Sequence, residues 1–270
     1  MSVNALVLTG YGINCEVEMA HGFRLAGAAP TVVHLADLLD GRVDLQDYQI
    51  LALPGGFSFA DHLGAGQALA NRLRYSAIWP ALLQFVAEHK LVFGVCNGFQ
   101  ALVKLGLLPA LGVSGERSVS LIGNDSGRFE DRWVKLVVEG RSPCVFTRGL
   151  GTLELPVRHG EGKLAASAAV HAALTEAHLI PLRYSTDGLV ATEAYPANPN
   201  GSPGGAAALC DPTGRIFGMM PHPEGYLDAT QHPAWTRQVG HTLAEGAGLG
   251  LFRCAVAALT GGPVLLGARG

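Results

Sequence analysis

The 270-residue chain can hold one large hydrophobic core or two small ones. It is 49% hydrophobic and only 15% charged, against roughly 25% charged in an average soluble protein, so much of its surface is small, apolar or committed to contacts. A formal net charge of −3 with no run of Lys or Arg excludes the electrostatic footprint of phosphate-backbone binding.

The chain opens with a short β-rich run, ALVLTG at 5–10, with no basic leader before it, which sets the expectation of a cytoplasmic protein. A helical stretch follows at 16–28, where Met19, Phe23 and Ala26 recur at i, i+4 and i+7. Then come a strand TVVHL, a loop containing DLLDG, a strand ILALPGG at 50–56 and one long helical stretch from about 65 to 89. LVFGVC at 91–96 reads as a strand and NGFQALVKL as a helix. Continuous apolar strands alternating with helices indicate a parallel sheet covered on both faces. The expected fold is α/β and doubly wound: an open, mostly parallel sheet of flavodoxin-like type.

From about Ser118 the texture changes to strands joined by turns: SVSLIG, RWVKLVVEG, GTLELPVRHG, LIPLRYS, GAAALC and RIFGMM. These either extend the sheet or form an antiparallel patch beside it. YPANPNGSPGG at 195–205 is turn chemistry throughout and reads as an exposed loop. Leu249, Phe252, Val256 and Leu259 mark one face of a final helix. The apolar stretch at 254–268 is broken by Thr, Gly and Pro and falls short of the roughly 18 residues that cross a bilayer. A single domain over 1–270 is expected, with a C-terminal extension from about 226.

Five cysteines, Cys15, Cys96, Cys144, Cys210 and Cys254, are odd in number and form no C-x-x-C pair. That pattern argues against a disulfide framework and against a thiolate zinc site. Most should be small core residues. Cys96 stands apart, because GVCNG has the form of the G-x-S-x-G elbow, a strained strand-to-helix turn that lifts its central side chain out of the sheet. The helix start beyond it presents free N–H groups and favours negative charge.

A thiol nucleophile needs a base and the base an orienter. In GMMPHPEG, Pro223 biases His222 towards an extended backbone, which brings His222 and Glu224 to one side. LPGGFSFADHLGAG follows another core strand, and its paired glycines, Gly55 and Gly56, let main-chain amides approach a ligand. The N–H groups of Gly56 and Asn97 form the candidate oxyanion hole. Gln100, one helical turn after Cys96, shares its face.

These stretches together resemble the class I, triad-type glutamine amidotransferases. Their finer wording, from GINCEVEMAHGFRLAGA through LPVRHGEGK to GRIFGMMPHPEG, is similar to the glutaminase subunits of phosphoribosylformylglycinamidine synthase in purine biosynthesis. The resemblance implies that Cys96 attacks L-glutamine, that His222 is general base and then acid, and that Glu224 orients it. It implies substrate contacts from Gly55, Phe57, Gln100, His159 and Glu161, and ammonia delivered to a synthetase subunit, with room for a small accessory subunit. No cofactor and no metal are expected in this chain; ATP and Mg belong to the synthetase. His159 and Glu161, also at i and i+2, leave a second base pair open. Gly64 stands where the family more commonly has Arg, which puts one contact in question. A glutaminase serving another synthetase, a different cysteine hydrolase on the same scaffold, and a non-catalytic interaction module remain alternatives.

Overall fold

In a computed structural model that describes residues 2–112, 116–237 and 245–263, the first half builds the expected parallel sheet. Strands β1 (Asn4–Thr9), β2 (Ala29–His34), β3 (Ile50–Leu53) and β4 (Leu91–Val95) alternate with helices α1 (Glu16–Leu25), α2 (Leu35–Leu39), α3 (Gln67–Arg74), α4 (Ile78–Ala87) and α5 (Asn97–Lys104). Two differences from the sequence reading have clear causes. DLLDG does not begin in a loop: α2 runs through its Asp37, Leu38 and Leu39, and is started by the His34 imidazole, whose Nδ1 accepts from the Ala36 N–H at 3.1 Å. Histidine is not among the usual capping residues, so the start is silent in sequence. The single helix expected over 65–89 is two, because Pro80 lacks the N–H an interior turn requires and is tolerated only in the first turn of α4. Ser76 Oγ donates to the Leu73 carbonyl at 3.0 Å in the break.

The second half supplies β5 (Val119–Gly123), β6 (Glu130–Val138), β7 (Leu153–His159), β8 (Glu161–Ala166), α6 (Ala168–Glu176), β9 (Leu182–Ser185), β10 (Ala208–Cys210), β11 (Ile216–Met219) and α7 (Leu249–Thr260). Of these, β8 and α6 were not anticipated. Both alternatives for the later strands occur. β10 and β11 extend the main sheet, whose order is β10-β11-β4-β3-β1-β2 with only β10 antiparallel. β5 with β8, and β7-β6-β9, form two small antiparallel sheets beside it.

The 195–205 loop is exposed only in part. Asn198, Asn200 and Ser202 are buried. Asn200 Nδ2 donates to the Gly162 carbonyl at 2.8 Å, and Ser202 Oγ accepts from the Leu164 N–H at 2.9 Å. Polar loop side chains thus satisfy backbone groups of β8 that no neighbouring strand reaches.

The middle of the main sheet is completely covered, with every residue of β4 buried. Phe93, Phe217 and Phe146 stack at centroid separations of 5.2 to 5.5 Å, and Phe252 of α7 meets Phe93 edge-on at 5.8 Å. The final helix therefore closes the core. It approaches α1 at Gly22, where a Cβ would lie 2.8 Å from the Phe252 ring. Gln238 of the HPAWTRQ stretch and the apolar residues from 264 onward lie outside the described residues. No described helix is long and apolar enough to cross a membrane.

Candidate active site

β4 ends in the middle of the sheet, between β3 and β11, and the chain turns directly from it into α5. Cys96 is the turn residue, at φ 49° and ψ −105°, a conformation that disfavours L side chains. Its N–H donates to the Met219 carbonyl at 2.8 Å, tying the turn to β11. The flanking glycines are required by contact rather than by φ. A Cβ on Gly98 would stand 1.9 Å from the Leu53 carbonyl oxygen, and one on Gly94 2.6 Å from Leu102. The helix can thus sit against β3 and β4 closely enough to force the turn.

His222 follows β11 with an extended backbone, and its N–H donates to the Pro156 carbonyl of β7 at 2.8 Å. Glu224, two residues on, places Oε1 2.5 Å from His222 Nδ1. Both side chains are buried. Burial pushes the imidazole pKa down, but the Glu224 carboxylate outweighs it and the Cys15 and Cys96 thiols add to the carboxylate's effect, so the ring is held well above the ordinary histidine range. The Cys96 thiol also donates to the Arg158 carbonyl at 3.5 Å. Among the described residues, His222 Nε2 and Glu224 Oε2 are buried with no hydrogen bond of ordinary geometry.

The Pro-Gly-Gly loop reaches the same place. Gly55 packs so closely on His222 that a Cβ would lie 2.8 Å from ring Cε1. Gly56, at φ 140°, forms an isolated antiparallel bridge with Ile13 through Asn14 N–H to Gly55 O and Phe57 N–H to Gly12 O. The Gly56 and Asn97 N–H groups have no acceptor among the described residues, as a hole for developing negative charge requires. Phe57 is exposed beside Phe129.

Asn97 binds the loop to the helix: its Oδ1 accepts from the Ser58 N–H, and its Nδ2 donates to Asp61 Oδ1 and Gln100 Oε1. Asp61, whose carboxyl is raised by burial against the lowering effect of Asn97 and Gly66, was not singled out in the sequence. Gln100 is buried with both amide atoms engaged, its Nε2 donating to the Glu161 carbonyl at 2.6 Å. Its side chain thus joins α5 to β8 where direct reach to a ligand was expected.

His159 and Glu161 do not form a second base pair. The chain turns at Gly160, and the two residues belong to strands of different sheets, so the i and i+2 argument for one extended strand fails. His159 Nδ1 pairs instead with Asn124 Oδ1 at 3.1 Å. Burial, reinforced by the nearby His222 charge, lowers its pKa to about 4 and keeps it neutral. Glu161 is half-buried at the start of β8.

Cys15 and Arg158 escaped the sequence reading. Cys15 was grouped with the core thiols, yet its Sγ shares one cluster with His222 and Glu224, the three ligand-capable atoms lying within 4.8 Å of one another. Its place directly before the acidic first turn of α1, in GINCEVE, was the available signal. Arg158 Nη2 stands 4.0 Å from Glu224 Oε1. A separate depression of about 610 Å³ lined by Tyr11, Asp40, Phe59, Leu63 and Tyr75 includes none of Cys96, His222 or Glu224. It is not where the reactive groups meet.

A thiol on a strained turn beside a buried imidazole and carboxylate, on a mostly parallel sheet, is the arrangement of a thiol-dependent amidotransferase. The chain belongs to the CobB/CobQ-like glutamine amidotransferase domain family, whose model matches residues 2–257. It is 43% identical over 233 residues to phosphoribosylformylglycinamidine synthase subunit PurQ of Methanococcus maripaludis, covering 85% of each chain. It is 42% identical over 254 residues to the subunit of the same name from Dehalococcoides mccartyi, covering 94% of this chain and 96% of that one. Among solved structures, a chain of PurLQS from Thermotoga maritima superposes with a TM-score of 0.69 at 27% identity, over 96% of this chain and 100% of that one.

Proposed function

We propose that this chain is the glutaminase subunit of phosphoribosylformylglycinamidine synthase, acting in the cytoplasm with a synthetase subunit and a small accessory subunit. The observation that carries the reading is the 2.5 Å His222–Glu224 pair beside Cys96 on its positive-φ turn, in a chain 42–43% identical to named subunits of that synthase. All five cysteines are free and buried, as suits a reducing compartment.

His222 Nε2 holds the Cys96 proton, as the Glu224 carboxylate favours, and the thiolate Sγ attacks the δ-carbon of L-glutamine. The developing oxyanion accepts from the Gly56 and Asn97 amides. The tetrahedral intermediate collapses with loss of the amide nitrogen, to which His222 returns its proton, leaving ammonia and a γ-glutamyl thioester. Water, deprotonated by His222, then cleaves the thioester to glutamate and restores the thiol. Glu224 keeps the Nδ1 proton in place throughout, so that Nε2 remains the acceptor. Gly55, Phe57, Glu161 and His159 surround the glutamine, with Gln100 setting Asn97. This chain's own step needs no cofactor, because nucleophile, base and oxyanion donors all come from it; ATP and Mg act on the synthetase, where the ammonia is consumed.

A glutamine analogue with an electrophilic δ-carbon is expected to label Cys96 alone among the five thiols. Cys96→Ala in the assembled enzyme should abolish glutamine-dependent synthesis and preserve ammonia-dependent synthesis. Equal loss of both would assign the cysteine to folding or docking.

A further inference from the structure

The proposed reaction uses one thiol, and a second lies against its base. Cys15 stands at the head of α1 on the loop that the Ile13–Gly56 bridge ties to the Pro-Gly-Gly segment. Its Sγ would be 3.4 Å from a Cβ on Gly55, the same phantom atom that meets the His222 ring. Cys15 Sγ, one His222 ring nitrogen and a Glu224 oxygen therefore converge, all within 4.8 Å and all on buried residues. Glu224 Oε2 is buried with no hydrogen-bond partner among the described residues, which leaves the carboxylate a lone pair to give.

We propose that Cys15, His222 and Glu224 form a site for a thiophilic divalent cation of the zinc class, and that its occupation switches the glutaminase off. One sulfur, one nitrogen and one carboxylate oxygen with a fourth position for water is a zinc-type donor set. Tetrahedral bonds of about 2.0 to 2.3 Å place such donors roughly 3.3 to 3.6 Å apart. The three donor atoms lie within 4.8 Å of one another, and the His222 Nδ1 to Glu224 Oε1 separation of 2.5 Å has to open by about one ångström to reach that spacing. Arg158, paired to Glu224 at 4.0 Å and 43% exposed at its side chain, can move outward to admit the cation.

The proton inventory makes the site inhibitory. The Cys15 thiol loses its proton to solvent on coordination. Nδ1 must offer its lone pair to the cation, so the proton it shares with Glu224 is released and the proton that stays on the ring sits on Nε2. A ring protonated at Nε2 cannot accept the Cys96 proton, and Glu224 no longer orients it. The site itself follows from geometry; only the inhibition rests on the glutaminase reading.

Titrating the full chain with Co²⁺ should give one bound ion per chain and a thiolate-to-cobalt charge-transfer band in the near ultraviolet. The band should vanish in Cys15→Ala and in Cys15→Ser, and persist in Cys96→Ser. In the assembled enzyme, Zn²⁺ should suppress glutamine-dependent synthesis and spare ammonia-dependent synthesis. Cys15→Ala should raise the half-inhibitory Zn²⁺ concentration by more than about tenfold, since losing even a group that supports a ligand costs 10- to 100-fold in affinity. A far-ultraviolet circular dichroism spectrum and a melting temperature matching those of the native chain show that each variant is folded. A band that survives loss of Cys15, disappears with Cys96, or never forms would overturn the site. The cobalt titration needs no turnover, so a failed glutaminase assignment would leave its result unaffected.

Discussion

His159 is buried beside His222 and held neutral, with its pKa lowered from 6.5 to about 4. Below pH 6.5 the unfolded chain takes up a proton at this position and the folded chain does not. The stability His159 contributes is therefore full above that pH and is lost as pH falls towards 4. A displacement of this size amounts to about 3 kcal/mol in total, of which about 2 kcal/mol is lost between pH 7 and pH 5. His159→Gln keeps a polar partner for Asn124 and removes the titration. Urea unfolding of both proteins across that interval should show the native chain losing about 2 kcal/mol more than the variant. The opposite contribution of His222, full below 6.5 and lost as pH rises through its raised folded pKa, is present in both and cancels. Parallel pH curves would refute the reasoning, because they would mean that His159 accepts its proton in the folded state. A charged His159 would also oppose the imidazolium that His222 must form in each half-reaction.

Glu224→Gln leaves an uncharged amide at Nδ1 that can stabilise the wrong ring tautomer; glutamine-dependent synthesis should fall roughly 10³- to 10⁴-fold in kcat while ammonia-dependent synthesis stays at its normal rate, as an assay with each nitrogen source will read. Gly98→Ala sets a methyl 1.9 Å from the Leu53 carbonyl oxygen, so α5 must retreat from β3 at a cost of about 1–3 kcal/mol or more. Thermal unfolding should show a Tm lowered by several degrees against an unchanged Gly140→Ala control, whose Cβ meets nothing within 4 Å.

The alternation of apolar strands with helices, the elbow at Cys96 and the His222–Glu224 spacing were legible in the sequence because each rests on neighbours within a few residues. A two-residue period sets which side chains share a side, and a strand followed directly by a helix leaves its mark as a change of period. Where the sequence reading failed, the cause was a partner distant in the chain. Two exceptions are local: Pro80 splits the 65–89 stretch because proline is tolerated only in the first turn of a helix, and α2 starts on the His34 imidazole two residues before Ala36. His159 and Glu161 looked like a second pair until the turn at Gly160 sent them into different sheets. The Asn198–Ser202 loop read as solvent-exposed because nothing local shows that its side chains complete the backbone hydrogen bonds of β8.

Residue types and short spacings by themselves determined the fold class and singled out Cys96 and His222 as the candidate nucleophile and base. The tertiary structure alone decided that Cys15 lies against His222, that Asp61 braces Asn97, that Gln100 reaches the Glu161 carbonyl, and that α7 closes the core. Those contacts join segments separated by tens to hundreds of residues, and only the assembled sheet brings them within hydrogen-bond and van der Waals reach, where burial makes each polar group depend on its partner.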